Sequence, residues 1–297
     1  MELFPVKVNR QAMELNGAAE NGKHTLNKSN LYPEFTLGEH LTKEQKDFFE
    51  SNGFIHFKNF ISKETVQGLL KETQKIEDEW VSQGFKMING VPIKYGIDIN
   101  GKKIVQRFAF LSQHSSLFAD LLKDNRLKSL FDFIGTADCR IGESEKDGLV
   151  FNHYINTEES NYSQLGWHTD ALRDVFYGQK ILPMLNVGIH MDTSTTDNGG
   201  LRLIPGTHNQ GLRTLLFKKF YFLSHKPDKN EIGLNVEPGD LTVHDGRLWH
   251  RVARSPFIGE KSRRRVMYIP IITGKFQPRT EKSKPLFYQR LASLTNK

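Results

Sequence analysis

The sequence predicts a mainly β fold, a sandwich or jelly roll, with helices gathered ahead of it. Three observations lead there. From Val150 onward the chain breaks into short strand-like segments: VFNHYI, MLNVGIHM, LRLIP, LTVHD and RVMYIPII. The tripeptides NGG, PGT and PGD punctuate them, and Gly and Pro at such places favour turns over strands. Helical periodicity is confined to the part of the chain before residue 134.

Taken in order, residues 1 to about 39 mix Asn, Lys, Gly and Glu with few apolar positions, so residues 1–40 are expected to be a flexible or loosely docked tail. Residues 41–297 are long enough for one large catalytic domain and too short for two. Thr42-Lys43-Glu44-Gln45 has the form of a capping box, and Asn52-Gly53 supplies a left-handed stop, which predicts a short helix between them. GFIHFKNF, residues 53–60, alternates apolar and polar residues as a strand does. Ser62 then caps a helix whose Val66, Leu69, Leu70, Thr73 and Ile76 share a face. Asn100-Gly101 between Ile97-Asp98-Ile99 and Ile104-Val105 predicts a hairpin with positive φ at both turn positions. A second amphipathic helix is expected from about Ser115 to Phe133, and the strands follow.

Charge and cysteine usage narrow the function. Lys plus Arg exceed Asp plus Glu by 41 − 34 = 7, but the excess is spread along the chain apart from Arg263-Arg264-Arg265. No helix-turn-helix, RRM signature or metal knuckle accompanies it, so nucleic acid is not an expected partner; a solvated basic surface is the first reading of the charge and attraction of an anionic small-molecule substrate the second. The single cysteine, Cys139, excludes an internal disulfide and a thiolate zinc site, leaving His and carboxylate as metal ligands and a reducing, cytoplasmic setting as the expectation. Neither a secretion signal nor an 18-residue apolar run is present, so no membrane span is expected. The Asn-x-Ser triplets at Asn27 and Asn161 are read as accidental.

Gly166-Trp167-His168-Thr169-Asp170 sets two candidate ligands two positions apart, which extended backbone places on one face. His250, at the end of PGDLTVHDGRLWH, is the natural third. Two imidazoles and one carboxylate leave three adjacent positions of an ion open, as an iron(II) oxygenase requires. A His-x-Asp pair alone is weak evidence in a chain with 11 His and 34 acidic residues. The arginines at 263–265 strengthen it, because a dicarboxylate co-substrate needs a planar bidentate donor. Strand alternation sets Arg264 opposite to Arg263 and Arg265.

LTKEQKDFFESNGFIHFKNFISKETVQGLL, WHTD, DNGGLRLIPGTHNQG, and PGDLTVHDGRLWH followed by RRRVMYIP together resemble the phytanoyl-CoA dioxygenase family of 2-oxoglutarate-dependent oxygenases. The resemblance covers most of residues 41–273. It implies a double-stranded β-helix core with flanking helices, Fe(II) on His168, Asp170 and His250, and 2-oxoglutarate on Arg264, with Asn152 or Tyr154 as a polar partner. It also implies O2 as the second co-substrate and hydroxylation of a small molecule as the outcome. Two rivals stay open at this point: a zinc hydrolase, which uses the same ligand types, and a non-catalytic jelly-roll binding protein.

Among the remaining residues, His208 is expected to fix backbone, and His153, His190 and His244 to be ordinary core histidines more than donors to the ligands. Trp167 and Trp249 are expected to wall the imidazoles. Arg173, Arg247, Arg251 and Arg254 could draw in an anion or sit solvated at the barrel mouth.

Overall fold

The computed structural model describes residues 32–160 and 162–286. Both glycosylation triplets have their asparagine outside these residues, as does the expected tail up to residue 31. Residues 32–41 lie against the domain: Tyr32 packs edge-on to Phe48 and Phe54, the Phe35 amide donates to the His56 carbonyl, and Leu37 and Leu41 are buried.

The first helix, α1 (Lys43–Asn52), carries both halves of the capping box, and Gly53 closes it at φ 76°. Strand β1 (Phe54–Phe57) follows, then α2 (Lys63–Gln83) capped by Ser62. Next come β2 (Met87–Ile88), β3 (Val91–Pro92), β4 (Lys94–Ile97) and β5 (Lys103–Phe108). The hairpin between β4 and β5 exists, but only Gly101 has positive φ. Asp98 organises a five-residue loop instead, its side chain accepting from the amides of Asn100 and Lys102.

The long helix expected over 115–133 is broken into α3 (Ser116–Leu121), α4 (Asn125–Ser129) and a 3-10 turn over Leu130–Phe133. Asp124 is the reason: its carboxylate caps α4 through the Arg126 amide and holds the Arg126 guanidinium, a local bond that competes with helix continuation. The strands of the second half are β6 (Arg140–Ile141), β7 (Val150–Asn156), β8 (Leu165–His168), β9 (Met184–His190), β10 (Gly200–Leu203), β11 (Ile232–Gly233), β12 (Leu241–Asp245), β13 (His250–Ala253) and β14 (Gly259–Ile272). A one-turn helix, α5 (Leu212–Phe217), precedes β11.

Two antiparallel sheets face each other as a jelly roll. The larger runs β1-β12-β9-β14-β7-β5-β4, with β6 also on β14; the smaller runs β11-β10-β13-β8. Period-two alternation sorts the side chains of the larger sheet. On one side Val187, Ile189, Leu241, Val243, Met267, Ile269 and Ile271 join Val66, Leu69, Ile76 and Trp80 of α2 in a single apolar core. On the other side their neighbours Asn152, Tyr154, Asn186 and Tyr268 line a cavity between the sheets.

Both faces are therefore buried. In the strand read from GFIHFKNF all four β1 residues are buried, His56 included. Among the described residues no helix is long and apolar enough to cross a membrane.

Candidate metal and co-substrate site

His168 ends β8 and His250 opens β13, and the two strands pair so that these residues stand directly opposite each other. Asp170 does not continue the strand: its backbone is helical, and it begins the 3-10 turn over Ala171–Tyr177. The carboxylate reaches the imidazoles because the chain turns there, and not through extended alternation as the sequence had it. One ligand atom from each of the three residues lies within 4.8 Å of the others. The two imidazole centroids are 4.1 Å apart, and the His250 Nε2 is 3.5 Å from the Asp170 Oδ2.

The donor chemistry fits a divalent cation. The His168 Nδ1 lies 2.8 Å from the Gly166 carbonyl and the His250 Nδ1 3.0 Å from the Leu248 carbonyl. A carbonyl can only accept, so each Nδ1 carries the proton and each Nε2 keeps its lone pair for a metal. Burial pushes His168 down to about 4 and His250 well below the usual imidazole range. Both rings are thus neutral at physiological pH, as ligation requires. Burial works against a charge on Asp170, but the Arg173 guanidinium, 3.2 Å away, and the hydrogen bond from His244 oppose it, and the carboxyl is held well below its ordinary range.

Asp170 is oriented by groups that the sequence did not single out for that role. The Asn186 amide donates to its Oδ2 at 2.7 Å, and the His244 Nε2 stands 3.4 Å from the same oxygen. His244 is therefore a partner of a ligand candidate, whereas it was expected to be a plain core histidine. His190, bonded to the Thr242 hydroxyl, and His208, whose Nε2 faces the Glu50 carbonyl, make structural contacts away from the cluster. His153 is buried with no partner at its Nε2, and burial pushes it down to about 3.

Trp167 and Trp249 do not wall the imidazoles. As strand neighbours of the histidines they point the other way and pack with Ile204 and Tyr221. The ring covering His168 is Phe222, stacked at 4.7 Å. Its segment is held to β8 by the Phe222 amide on the Trp167 carbonyl and the Trp167 amide on the Ser224 carbonyl. A Cβ on Gly166 would stand 2.2 Å from the Phe222 carbonyl oxygen, so glycine is what lets this covering segment come so close.

The triad opens onto a cavity of 680 Å³ whose wall includes Asn152 and Tyr154. Asn152 donates to the Tyr154 hydroxyl at 3.3 Å, and its own Oδ1 is buried without a partner. Arg264 lies behind Tyr154, its guanidinium 5.8 Å from that ring, beside a small second pocket that shares Tyr154, Val252 and Tyr268 with the main one.

The Arg264 side chain donates to the carbonyls of Ala253, Ser163 and Ser262. No carboxylate among the described residues pairs with it, although it is buried and burial pushes it down to about 10. A buried guanidinium balanced only by carbonyl dipoles is a ready site for an anion. Its neighbours are already engaged, Arg263 by Glu260 and Arg265 by Asp192.

Of the four arginines weighed as anion attractors, only Arg173 lines the cavity. Arg247 is held by Asp245, Arg251 by Glu231 and Arg254 by the Asn156 side chain. The sequence reading missed Lys94, Arg107 and Lys146, which also line it. Their approach depends on how β4 and β5 pair onto β7, and nothing local to them signals it.

The sequence profile of the phytanoyl-CoA dioxygenase (PhyH) family matches residues 49–256. A 2-aminoethylphosphonate dioxygenase from an uncultured bacterium is 24% identical over 277 residues, covering 86% of this chain and 97% of the relative. The peroxisomal phytanoyl-CoA dioxygenase of Mus musculus is 23% identical over 234 residues, 75% of this chain and 67% of that one. Among solved structures, HygX from Streptomyces hygroscopicus with nickel and 2-oxoglutarate bound superposes with a TM-score of 0.57 at 17% identity, over 80% of this chain and 89% of HygX. The epimerase SnoN in complex with Fe3+, alpha ketoglutarate and nogalamycin RO gives 0.54 at 14% identity, over 80% and 85%. These structures share the fold.

Proposed function

The chain belongs to the phytanoyl-CoA dioxygenase family, and from that premise we propose that His168, Asp170 and His250 hold its iron(II), that Arg264 holds the far carboxylate of 2-oxoglutarate, and that the reaction hydroxylates an unactivated carbon of a small anionic molecule. As a member, it is an iron(II)- and 2-oxoglutarate-dependent dioxygenase. The zinc hydrolase and the non-catalytic binding protein give way to that membership. The lone cysteine goes with a cytoplasmic setting.

One observation carries the residue assignments: a compact His, Asp, His cluster on a cavity wall, with a carboxylate-free buried guanidinium behind it. When bound, iron and 2-oxoglutarate supply the oxidising power drawn from O2, with release of succinate and CO2. The chain's own residues supply geometry. Gly166 and Leu248 carbonyls fix the imidazole tautomers, Asn186 and His244 aim the carboxylate, and the Phe222 ring keeps water from His168. Asn152, with an unsatisfied Oδ1 and a bond to the Tyr154 hydroxyl, is suited to a polar contact with the oxoacid. The basic side chains on the wall, Lys94, Arg107, Lys146 and Arg173, outnumber the acidic Asp147 and Asp170 and favour an anionic substrate.

Succinate formed from 2-oxoglutarate under iron(II) and ascorbate tests the activity. Arg264→Ala should raise the 2-oxoglutarate requirement at least about tenfold, the loss expected when a charged hydrogen bond is removed. Arg263→Ala and Arg265→Ala should leave it nearly unchanged. Equal effects at all three positions would reject the assignment.

A further inference from the structure

Lys94 and Arg107 are directly opposite each other on β4 and β5, and Arg107 is in turn opposite Asn152 on β7. Paired residues project to the same face of a sheet, so the three form one row on the cavity wall, which all three line. Two like charges across a strand pair repel, and a sheet that keeps such a pair needs something to offset it.

The other cavity cations have acidic partners: Arg107 meets Asp147 at 2.8 Å, Arg173 meets Asp170 at 3.2 Å, and Lys146 is paired with Asp174. Lys94 has no carboxylate partner among the described residues. Its ammonium lies 4.5 Å over the Tyr162 ring, a contact that orients a cation without neutralising it. Lys94 keeps accessible surface, yet it also lines the concave cavity and has protein packed around its ammonium. That enclosure, with the Arg107 charge beside it, pushes Lys94 down to about 8.

Resting on the dioxygenase reading above, we propose that Lys94 and Arg107 clamp an oxyanionic group of the substrate, a carboxylate or a phosphonate-type head, at the outer end of this row. Two strand spacings, roughly 10 Å, separate Lys94 from Asn152. The clamp thereby holds the charged end away from the ligand cluster and presents an uncharged carbon to it. Arg107, already engaged by Asp147, contributes a second donor of fixed direction, and Lys94 supplies the charge that has no acid beside it.

The full chain, loaded anaerobically with iron(II) and 2-oxoglutarate and also free of both, is titrated by calorimetry with butylphosphonate, pentanoate and 1-pentanol. At least one anion should bind tenfold or more tighter than the alcohol. Lys94→Met should weaken that anion at least tenfold while leaving 1-pentanol and 2-oxoglutarate affinities unchanged, and Lys94→Arg should stay within threefold of the parent chain.

Preference for the phosphonate over the carboxylate, or the reverse, sustains the clamp and fixes the class of head group. Equal binding of anions and alcohol, no measurable anion binding, or an unchanged anion affinity in Lys94→Met overturns it. Failure of the parent chain to bind 2-oxoglutarate strikes the dioxygenase assignments alone, because the unloaded titration still reads the clamp.

Discussion

At the scale of single residues, the candidate centre depends on side chains that touch the Asp170 carboxylate. The Asn186 amide donates to Asp170 at 2.7 Å and has a side chain compact enough to be replaced without a large void. Asn186→Ala should weaken iron(II) affinity about 10–100-fold, the usual cost of losing such an outer partner, while leaving the thermal midpoint of the iron-free chain nearly unchanged. Competition with a chelating dye measures the first and a melting curve the second; unchanged iron affinity would remove Asn186 from the centre. The three residues proposed as ligands were legible in the sequence because each stands in a distinctive local pattern, WHTD or PGDLTVHDGRLWH. Asn186 and His244 were not, since nothing in MLNVGIHM or LTVHD says which of their polar residues will face the carboxylate.

Among the elements, β14 shows how one strand can serve packing and chemistry at once. Ile269 belongs to the apolar core under the helices, while its neighbour Tyr268 lines the cavity. Ile269→Ala should cost about 2–5 kcal/mol of stability through the void it leaves, with 2-oxoglutarate affinity unaltered in the folded fraction. Tyr268→Phe keeps the ring and should change stability by less than about 1 kcal/mol, while altering substrate or co-substrate binding. Urea titrations of the two variants check the contrast; similar losses of stability would mean the faces are not sorted as described. The single helix expected over 115–133 and the turn expected within the β4–β5 hairpin differ in a related way. Asp124 and Asp98 each bond to backbone two residues on, and such short bonds override the longer apolar period in which they sit.

For the whole molecule, the β1–β12 ladder that joins β1 to the larger sheet is reinforced at one end by a buried carboxylate. Asp240 accepts from His56 at 3.0 Å, Lys58 at 2.8 Å and the amides of Asn59 and Glu237. Burial acts to raise its pKa, but these donors outweigh it and hold the carboxyl below its ordinary range. A carboxylate depressed in the folded state contributes stability above its unfolded value, about 3.9, and loses it as pH falls toward the folded value. The chain should therefore melt progressively earlier below about pH 5, and Asp240→Asn, about 2–3 kcal/mol less stable at pH 7, should show a shallower dependence there. Parallel acid-melting curves for the two proteins would refute the role of Asp240.

What the sequence determined by itself was local and periodic: the Thr42 capping box, the stop at Gly53, the β strands read from alternation, and the motif-bound His168, Asp170 and His250. Each of these is set by neighbours within a few positions, through backbone bonds or side-chain period. Tertiary structure alone decided the pairing of β14 with β9 and β7, that of β5 with β7, and the shifted register of β5 on β4. That register turns one row of alternate residues toward the cavity and the other toward the helices, and a slip of one residue would exchange them. For this reason the Lys94–Arg107–Asn152 row, the isolation of Arg264 from carboxylates and the packing of both tryptophans away from the imidazoles were visible only once distant strands had been brought together.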